Sequence, residues 1–112
     1  MSLQTVIYPV RDLEASKAVF TAYVGTEPYM DEPYYVGYRA DGVEIGLDPN
    51  GHSRGLVGGV WFRPVDDIGA AVKTLLDAGA ESVEEAHDVG GGRKVATVKD
   101  PAGNVIGFMQ DA

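Results

Sequence analysis

Few side chains in this chain are of the types that perform covalent or metal chemistry. There is no cysteine, which excludes disulfides, thiolate nucleophiles and thiolate metal sites. His52 and His87 are the only imidazoles, and their spacing matches no HxH or HxxxH metal-binding pattern. No serine lies in a nucleophile elbow, and so few histidines leave no obvious general base. The sequence therefore predicts no catalytic residues and no histidine-based metal site.

Tyrosines and one carboxylate are better candidates for contact with a ligand. Tyr29, Tyr34, Tyr35 and Tyr38 lie close together in the sequence. Their rings could stack on a planar ligand and their hydroxyls could form hydrogen bonds, or they could simply pack between sheets. Glu44 lies between apolar residues, so it needs a ligand cation or an arginine as partner unless a strand edge keeps it in water.

The composition is that of a single domain with a packed core. The chain has 112 residues, of which 45% are hydrophobic and 23% are charged. The net charge of −8 opposes binding to nucleic acid and favours solubility, although it would also attract cationic ligands. The start of the chain does not resemble a signal peptide, and the longest apolar run, LVGGVWF, is too short to cross a bilayer. We therefore expect a cytoplasmic protein that does not bind membranes.

An internal repeat organises the chain. The segment PVRDLEASKAVF from Pro9 matches PVDDIGAAVKTL from Pro64, with Pro, Val, Asp, a branched aliphatic residue and Ala at the same offsets. Such self-similarity indicates two modules of roughly 55 residues each. Asp12 and Asp67 can each cap a helix, and Gly25 is a plausible end for the first one.

Each copy is predicted to contain a strand, a helix and three further strands. The apolar spacing in the second copy is that of an amphipathic helix, which we expect to end at Gly79. Asp41 and Gly42 form a typical hairpin turn. The predicted strands span 5–8, 27–30, 34–40 and 43–47 in the first copy and 59–62, 82–87, 94–99 and 105–110 in the second. This pattern predicts an α+β domain in which helices cover one face of each sheet and leave a concave surface on the other.

The order of these elements, with PVRDL after the first strand and DPAGNVIGF before the last, resembles the vicinal oxygen chelate family of glyoxalases, bleomycin-resistance proteins and dioxygenases. The resemblance covers essentially the whole chain. It implies one domain over residues 1–112, in which two tandem βαβββ modules, about 3–50 and 56–112, form mixed sheets around a cavity.

In the enzymes of this family, the resemblance implies a divalent metal held by His, Glu or Gln on the first and last strands of each module. The first-strand positions fall on Thr5 and Val60, and the last-strand positions fall on Gly46 and Gly107. None of these residues is a good metal ligand. We therefore expect neither a metal nor another cofactor.

Strand alternation then selects the residues that face the cavity. Because side chains two residues apart in a strand share a face, Ile7 should face the cavity with Thr5, and Phe62 should face it with Val60. Trp61 should point the other way and pack against a helix. Together with the last strands and the tyrosine cluster, the predicted ligand-binding residues are Thr5, Ile7, Tyr34, Tyr38, Glu44, Val60, Phe62, Val105 and Met109.

These residues and the resemblance lead to one main hypothesis and two alternatives. The main one is a metal-independent binding protein, similar to the bleomycin-resistance proteins linked to antibiotic resistance, which sequesters an amphipathic ligand of cationic character and forms a homodimer. The first alternative is a glyoxalase-type lyase or isomerase with a metal at non-standard ligands. The second is a structural or regulatory domain that binds no ligand.

Overall fold

The computed structural model describes residues 5–54 and 56–112, which form two helices and two four-stranded sheets. The first module contains β1 (Thr5–Pro9), α1 (Leu13–Val24), β2 (Met30–Glu32), β3 (Tyr35–Ala40) and β4 (Val43–Asp48). A short 3₁₀ helix follows at His52–Arg54. The second module contains β5 (Trp61–Pro64), α2 (Ile68–Asp77), β6 (Glu81–Asp88), β7 (Lys94–Lys99) and β8 (Val105–Gln110).

The two sheets have the same topology, which confirms the predicted pair of βαβββ modules. The first, sheet A, has the order β1-β4-β3-β2, and the second, sheet B, has the order β5-β8-β7-β6. In each sheet the first strand of the module runs parallel to the last, and the other pairs are antiparallel. Each helix crosses over from the first strand of its module to the second, which lies at the opposite edge of the sheet.

The helix ends follow the local chemistry that the sequence predicts. The Asp12 carboxylate accepts a hydrogen bond from the Ala15 amide at 3.1 Å, and the Asp67 carboxylate accepts one from the Ala70 amide at 3.0 Å. Gly25 ends α1 with a left-handed φ of 85°, a conformation that costs glycine little. The Asp41–Gly42 turn has φ values of 52° and 78°, as expected for a tight hairpin.

Two strand boundaries differ from the prediction. The strand expected at 27–30 lies instead at Met30–Glu32, because Glu32 pairs with Tyr35 and closes a hairpin through Pro33 and Tyr34. The strand expected at 59–62 lies at Trp61–Pro64, since its parallel ladder with β8 continues to an amide hydrogen bond from Val65 to the Met109 carbonyl. Pro64 is tolerated there because β5 is an edge strand.

One hydrophobic core joins the two modules and lies on the helix side of both sheets. Its buried members are Tyr8, Val10, Val19, Phe20, Tyr23, Val24, Val36, Tyr38, Ile45, Leu47, Ile68, Leu75, Ala80, Ala96, Val98, Ile106 and Phe108. As predicted, the partly buried Trp61 packs against this core. The opposite face of each sheet, here called its open face, carries the alternate residues of the strands.

The DPAGN turn fastens the second module to the first. The buried Asp100 carboxylate accepts hydrogen bonds from the Asn104 amide at 2.8 Å and from the Ser16 hydroxyl of α1, also at 2.8 Å. The Asn104 side-chain amide in turn donates to the Pro9 carbonyl at the end of β1. No helix within residues 5–54 and 56–112 has the length and apolar character needed to cross a membrane.

Candidate ligand-binding site

On the open face of sheet A, two neighbouring glycines are covered by aromatic rings. Ile7, Gly46 and Gly37 lie side by side on β1, β4 and β3. A Cβ atom on Gly46 would lie 2.6 Å from ring carbons of Tyr35, and one on Gly37 would lie 3.0 Å from the ring of Tyr29. The two glycines therefore leave the space that these rings occupy over the sheet.

A hydrogen-bonded carboxylate holds the two rings in place. Glu44 Oε1 accepts a hydrogen bond from the Tyr29 hydroxyl at 2.7 Å, and Glu44 Oε2 accepts a short one from the Tyr35 hydroxyl. The guanidinium of Arg39, the neighbour of Glu44 across the β3–β4 ladder, lies 4.0 Å from the centre of the Tyr29 ring. Sheet A thus presents a cluster of one carboxylate, one guanidinium and two phenols, here called the Glu44 cluster.

The pKa values in this cluster show which protonation states the contacts favour. The hydrogen bond from Tyr35, followed by that from Tyr29, lowers the pKa of Glu44 from its ordinary value of 4.5. Burial, reinforced by the hydrogen bond to Glu44, raises the pKa of Tyr35. The hydrogen bond to Glu44 also raises the pKa of Tyr29. At neutral pH the cluster therefore holds an ionised carboxylate between two protonated phenols.

The open face of sheet B also has a glycine on its last strand, but a different aromatic ring covers it. Phe62, Gly107 and Thr97 lie side by side on β5, β8 and β7. A Cβ atom on Gly107 would lie 2.6 Å from two carbons of the Phe62 ring, so that ring occupies the place of a side chain on Gly107. Phe62 is 40% exposed, whereas Thr97 is 8% exposed.

A groove runs between the two sheets along the edge strands β1 and β5. One cavity of about 390 Å³ is lined by Thr5, Val6, Val43, Gly59, Val60, Trp61 and Phe62. A second cavity of about 150 Å³ shares Val43, Trp61 and Phe62 with it and extends to Arg63 and Asp41. The groove is mostly apolar, with a few polar groups at its ends, as small-molecule sites commonly are.

The structure brings some of the predicted ligand-binding residues together. Thr5, Val60 and Phe62 line the larger cavity of the groove. Ile7 and Glu44 lie on the open face of sheet A, next to the glycine row.

Three further predicted residues lie outside the groove. Val105 and Met109 lie two residues to either side of Gly107 on β8, so strand alternation places them with Gly107 on the open face of sheet B. Val105 also lines a cavity of about 250 Å³ beside the turn before β8, and Met109 lines another near Pro64. Tyr34 lies in the β2–β3 turn, where 59% of its surface is exposed. None of these three residues lines the two cavities of the groove, and the structure records no contact between them and the Glu44 cluster.

Tyr38 is oriented differently from the prediction. Its ring is fully buried on the helix side of sheet A, and its hydroxyl lies 2.8 Å from the Thr21 hydroxyl and donates to the Lys17 carbonyl at 3.1 Å. Strand alternation explains this, because Gly37 faces the open side and its neighbour Tyr38 must face the other. Tyr38 therefore cannot contact a ligand on the open face.

The residues present do not fit the metal site that the family resemblance implies. Thr5 and Val60 are poor ligands, and the last-strand positions are the two glycines covered by Tyr35 and Phe62. Within the described ranges no three His, Asp or Glu side chains are placed to hold a metal ion. His87 lies on β6, 3.8 Å from Glu84, and His52 lines the cavity beside the turn before β8.

Comparison with known proteins identifies the family. The model of the Glyoxalase/Bleomycin resistance protein/Dioxygenase superfamily matches residues 2–108. No curated protein matches the chain. The family model covers nearly the whole chain, so it includes both modules and both open faces.

Solved structures share the fold at low sequence identity. A glyoxalase-related enzyme from Fulvimarina pelagi is similar with a TM-score of 0.85 at 18% identity, over 99% of this chain and 88% of that one. A family enzyme from Burkholderia phytofirmans has a TM-score of 0.82 at 18% identity, with both chains fully covered. Lactoylglutathione lyase from Agrobacterium tumefaciens has a TM-score of 0.76 at 22% identity, over 97% and 92% of the two chains. These structures show a shared fold, and the family match over residues 2–108 shows that the chain belongs to the Glyoxalase/Bleomycin resistance protein/Dioxygenase superfamily.

Proposed function

We propose that this chain binds an amphipathic organic molecule, without a metal ion, at the open faces of its sheets and the groove between them. The observation that carries the proposal is that aromatic rings cover Gly46 and Gly107. At the two positions where family enzymes would hold last-strand metal ligands, this chain has no side chain and places the rings of Tyr35 and Phe62 there instead. Phe62 also lines the apolar groove, and aromatic rings in such surroundings favour organic ligands over metal ions.

The Glu44 cluster supports a ligand of cationic character. The guanidinium of Arg39 already lies 4.0 Å from the centre of the Tyr29 ring, a contact of the kind that a ligand cation would make with a neighbouring ring. Glu44 remains ionised while both of its oxygens accept hydrogen bonds, so it would attract a positive group placed beside the rings. Arg39 balances part of this charge, and we therefore expect the carboxylate to tune affinity more than to dominate it.

A thermal-shift screen of organic cations and their neutral analogues, run with and without a chelator, tests the metal-independent proposal. A ligand that binds the native state raises the melting temperature by mass action. We expect the shift to persist unchanged in excess EDTA. A shift that disappears with EDTA and returns with a divalent metal would instead favour the glyoxalase-type lyase or isomerase.

The contribution of Glu44 is tested with Glu44→Gln and a charged ligand from that screen. A half-exposed ion pair is worth up to ~1 kcal/mol, so the charged ligand should bind about two- to fivefold more weakly. A neutral analogue of the same ligand should bind wild type and Glu44→Gln equally. Tyr38→Phe is the matched control, because that hydroxyl lies on the helix side. Equal weakening of both ligands would point to a displaced Tyr35 ring and would reject the charge argument.

We further propose that the chain forms a homodimer. Strands β2 and β6 end their sheets, and Tyr34, Val83 and Val89, in or next to these strands, leave 59%, 46% and 54% of their surface exposed. Unpaired sheet edges and exposed apolar side chains are surfaces that a second chain can cover. Light scattering should give about twice the 11.9 kDa chain mass, and a concentration-independent mass of one chain would reject the proposal.

A further inference from the structure

The hydroxyl of Thr97 is unusual among the buried polar groups. Tyr8 Oη, His52 Nδ1 and Thr97 Oγ1 are buried without a hydrogen-bond partner among the residues that the structure describes. Tyr8 belongs to the core on the helix side, and His52 lies in the short helix between the modules. Of the three, Thr97 alone lies on an open face, because it is the direct neighbour of Gly107 across the β7–β8 ladder.

Buried hydroxyls in folded proteins are normally paired, so an unpaired one on an open face calls for a physical reason. The fully buried Ser16 donates to Asp100 at 2.8 Å, and the Tyr23 hydroxyl donates to the Gly107 carbonyl at 2.9 Å. A buried hydroxyl without a partner destabilises the folded state. A ligand that completes the hydrogen bond would remove this cost.

The Phe62 ring that covers Gly107 is held in place only by packing. Phe62 carries no polar atom, lies on the edge strand β5 and is 40% exposed. Its ring also lines the 390 Å³ cavity of the groove, so a change of rotamer has open space to enter. Tyr35, which covers Gly46 in sheet A, is instead held by its hydrogen bond to Glu44.

We propose that Phe62 is a displaceable cover and that Thr97 is the specificity-determining residue beneath it. When the ring swings into the groove, it leaves a flat slot over Gly107 with the Thr97 hydroxyl beside it. That slot fits a planar aromatic ring whose phenolic hydroxyl or aryl carbonyl completes the hydrogen bond of Thr97. This inference rests on the proposed function and specifies the part of the ligand that sheet B recognises.

Phenol and toluene are probes of equal shape that differ in one hydrogen-bonding group. In an NMR titration, wild type should bind phenol roughly three- to tenfold more tightly than toluene, as one net hydrogen bond predicts. Thr97→Val keeps the shape of the side chain and should abolish this preference. Phe62→Ala should tighten the binding of both probes, because no ring then has to be displaced, and should retain the preference for phenol.

The thermal stability of the free protein gives an independent readout. Thr97→Val removes an unpaired hydroxyl and should raise the melting temperature, whereas Thr21→Val removes a hydroxyl that pairs with Tyr38 and should not. A lower melting temperature for Thr97→Val would show that its hydroxyl is already satisfied, and it would overturn the inference.

The binding data can also overturn the inference about Phe62 and Thr97 while leaving the proposed function intact. An unchanged preference for phenol in Thr97→Val, or no binding of either probe by Phe62→Ala, would reject the slot. The proposed function would still hold if a ligand from the thermal-shift screen perturbed the Glu44 cluster. It fails separately if no screened ligand perturbs either open face.

Discussion

The two open faces carry the same glycine on their last strand but cover it in opposite ways. In sheet A the ring over Gly46 comes from Tyr35 on β3, and its hydroxyl is bonded to Glu44. In sheet B the ring over Gly107 comes from Phe62 on β5, on the other side of the glycine, and carries no polar group. One topology therefore supports a face that is held by hydrogen bonds and a face that is held by packing alone.

This difference has a consequence for where a ligand can enter. Displacing Tyr35 would leave Glu44 without one of its two phenol donors, whereas displacing Phe62 breaks no hydrogen bond. The hydroxyl without a partner lies beside the loosely held ring, at Thr97. Sheet A should thus act as a fixed wall and sheet B as the face that adapts to the ligand.

Adding one methyl group to Gly46 or to Gly107 should show the difference between the two open faces most clearly. In Gly46→Ala the new Cβ must push the Tyr35 ring off the sheet and away from Glu44, so the free energy of unfolding should fall by about 1–3 kcal/mol. In Gly107→Ala the Phe62 ring can rotate into the groove, although the Ala96 carbonyl at 3.2 Å must also yield. Alanine is the better strand residue, which offsets part of that cost, so the loss should stay below about 1 kcal/mol.

Urea unfolding of both variants measures this difference. Gly103→Ala would not serve as a control, because Gly103 has a φ of 88° that alanine adopts only with strain. Gly59→Ala is a better control, since a Cβ there meets no atom within 4 Å. Equal losses in Gly46→Ala and Gly107→Ala would mean that the Phe62 ring is held as firmly as the Tyr35 ring.

The fold was predictable because its signals are local. Asp12, Asp67 and Gly25 mark helix ends through backbone chemistry that needs no tertiary context. The two-residue turn at Asp41–Gly42 also determines the register of β3 and β4, which pairs Gly37 with Gly46. Counting along β3 from that pair would have turned Tyr38 towards the helices and Tyr35 towards the open face.

The candidate site was predictable only in part, because the remaining features depend on side-chain conformation. Thr5, Val60 and Phe62 line one cavity of the groove, but so do Val6 and Trp61, which strand alternation assigns to the other face. Strand alternation also does not tell that the Tyr35 ring leans from β3 across to Gly46, or that Phe62 does the same from β5. The unpaired hydroxyl of Thr97 depends on every neighbouring atom, so no sequence pattern reveals it.

The last prediction concerns the hydrogen bond that distinguishes the two faces, and it is tested with Tyr35→Phe. This substitution keeps the ring over Gly46 and removes the hydroxyl that donates to Glu44, so the free energy of unfolding at pH 7 should fall by about 0.5–1 kcal/mol. The loss should depend on pH. Since the hydrogen bonds lower the folded-state pKa of Glu44 below 4.5, the stability they contribute is present above that pH and is lost as pH falls through the folded pKa.

Urea unfolding of wild type and Tyr35→Phe at pH 7 and near pH 2.5 should therefore show a difference that shrinks in acid. An NMR titration of the Glu44 carboxyl carbon should show a higher pKa in Tyr35→Phe than in wild type, and an unchanged pKa in Tyr38→Phe, whose hydroxyl lies on the helix side. Phe62→Leu is the matched variant for sheet B. Because the Phe62 ring has no titrating partner, its effect on stability should be the same at both pH values. If the Tyr35→Phe loss is equally independent of pH, the ring in sheet A is held by packing as well, and the two faces do not differ in how their rings are held.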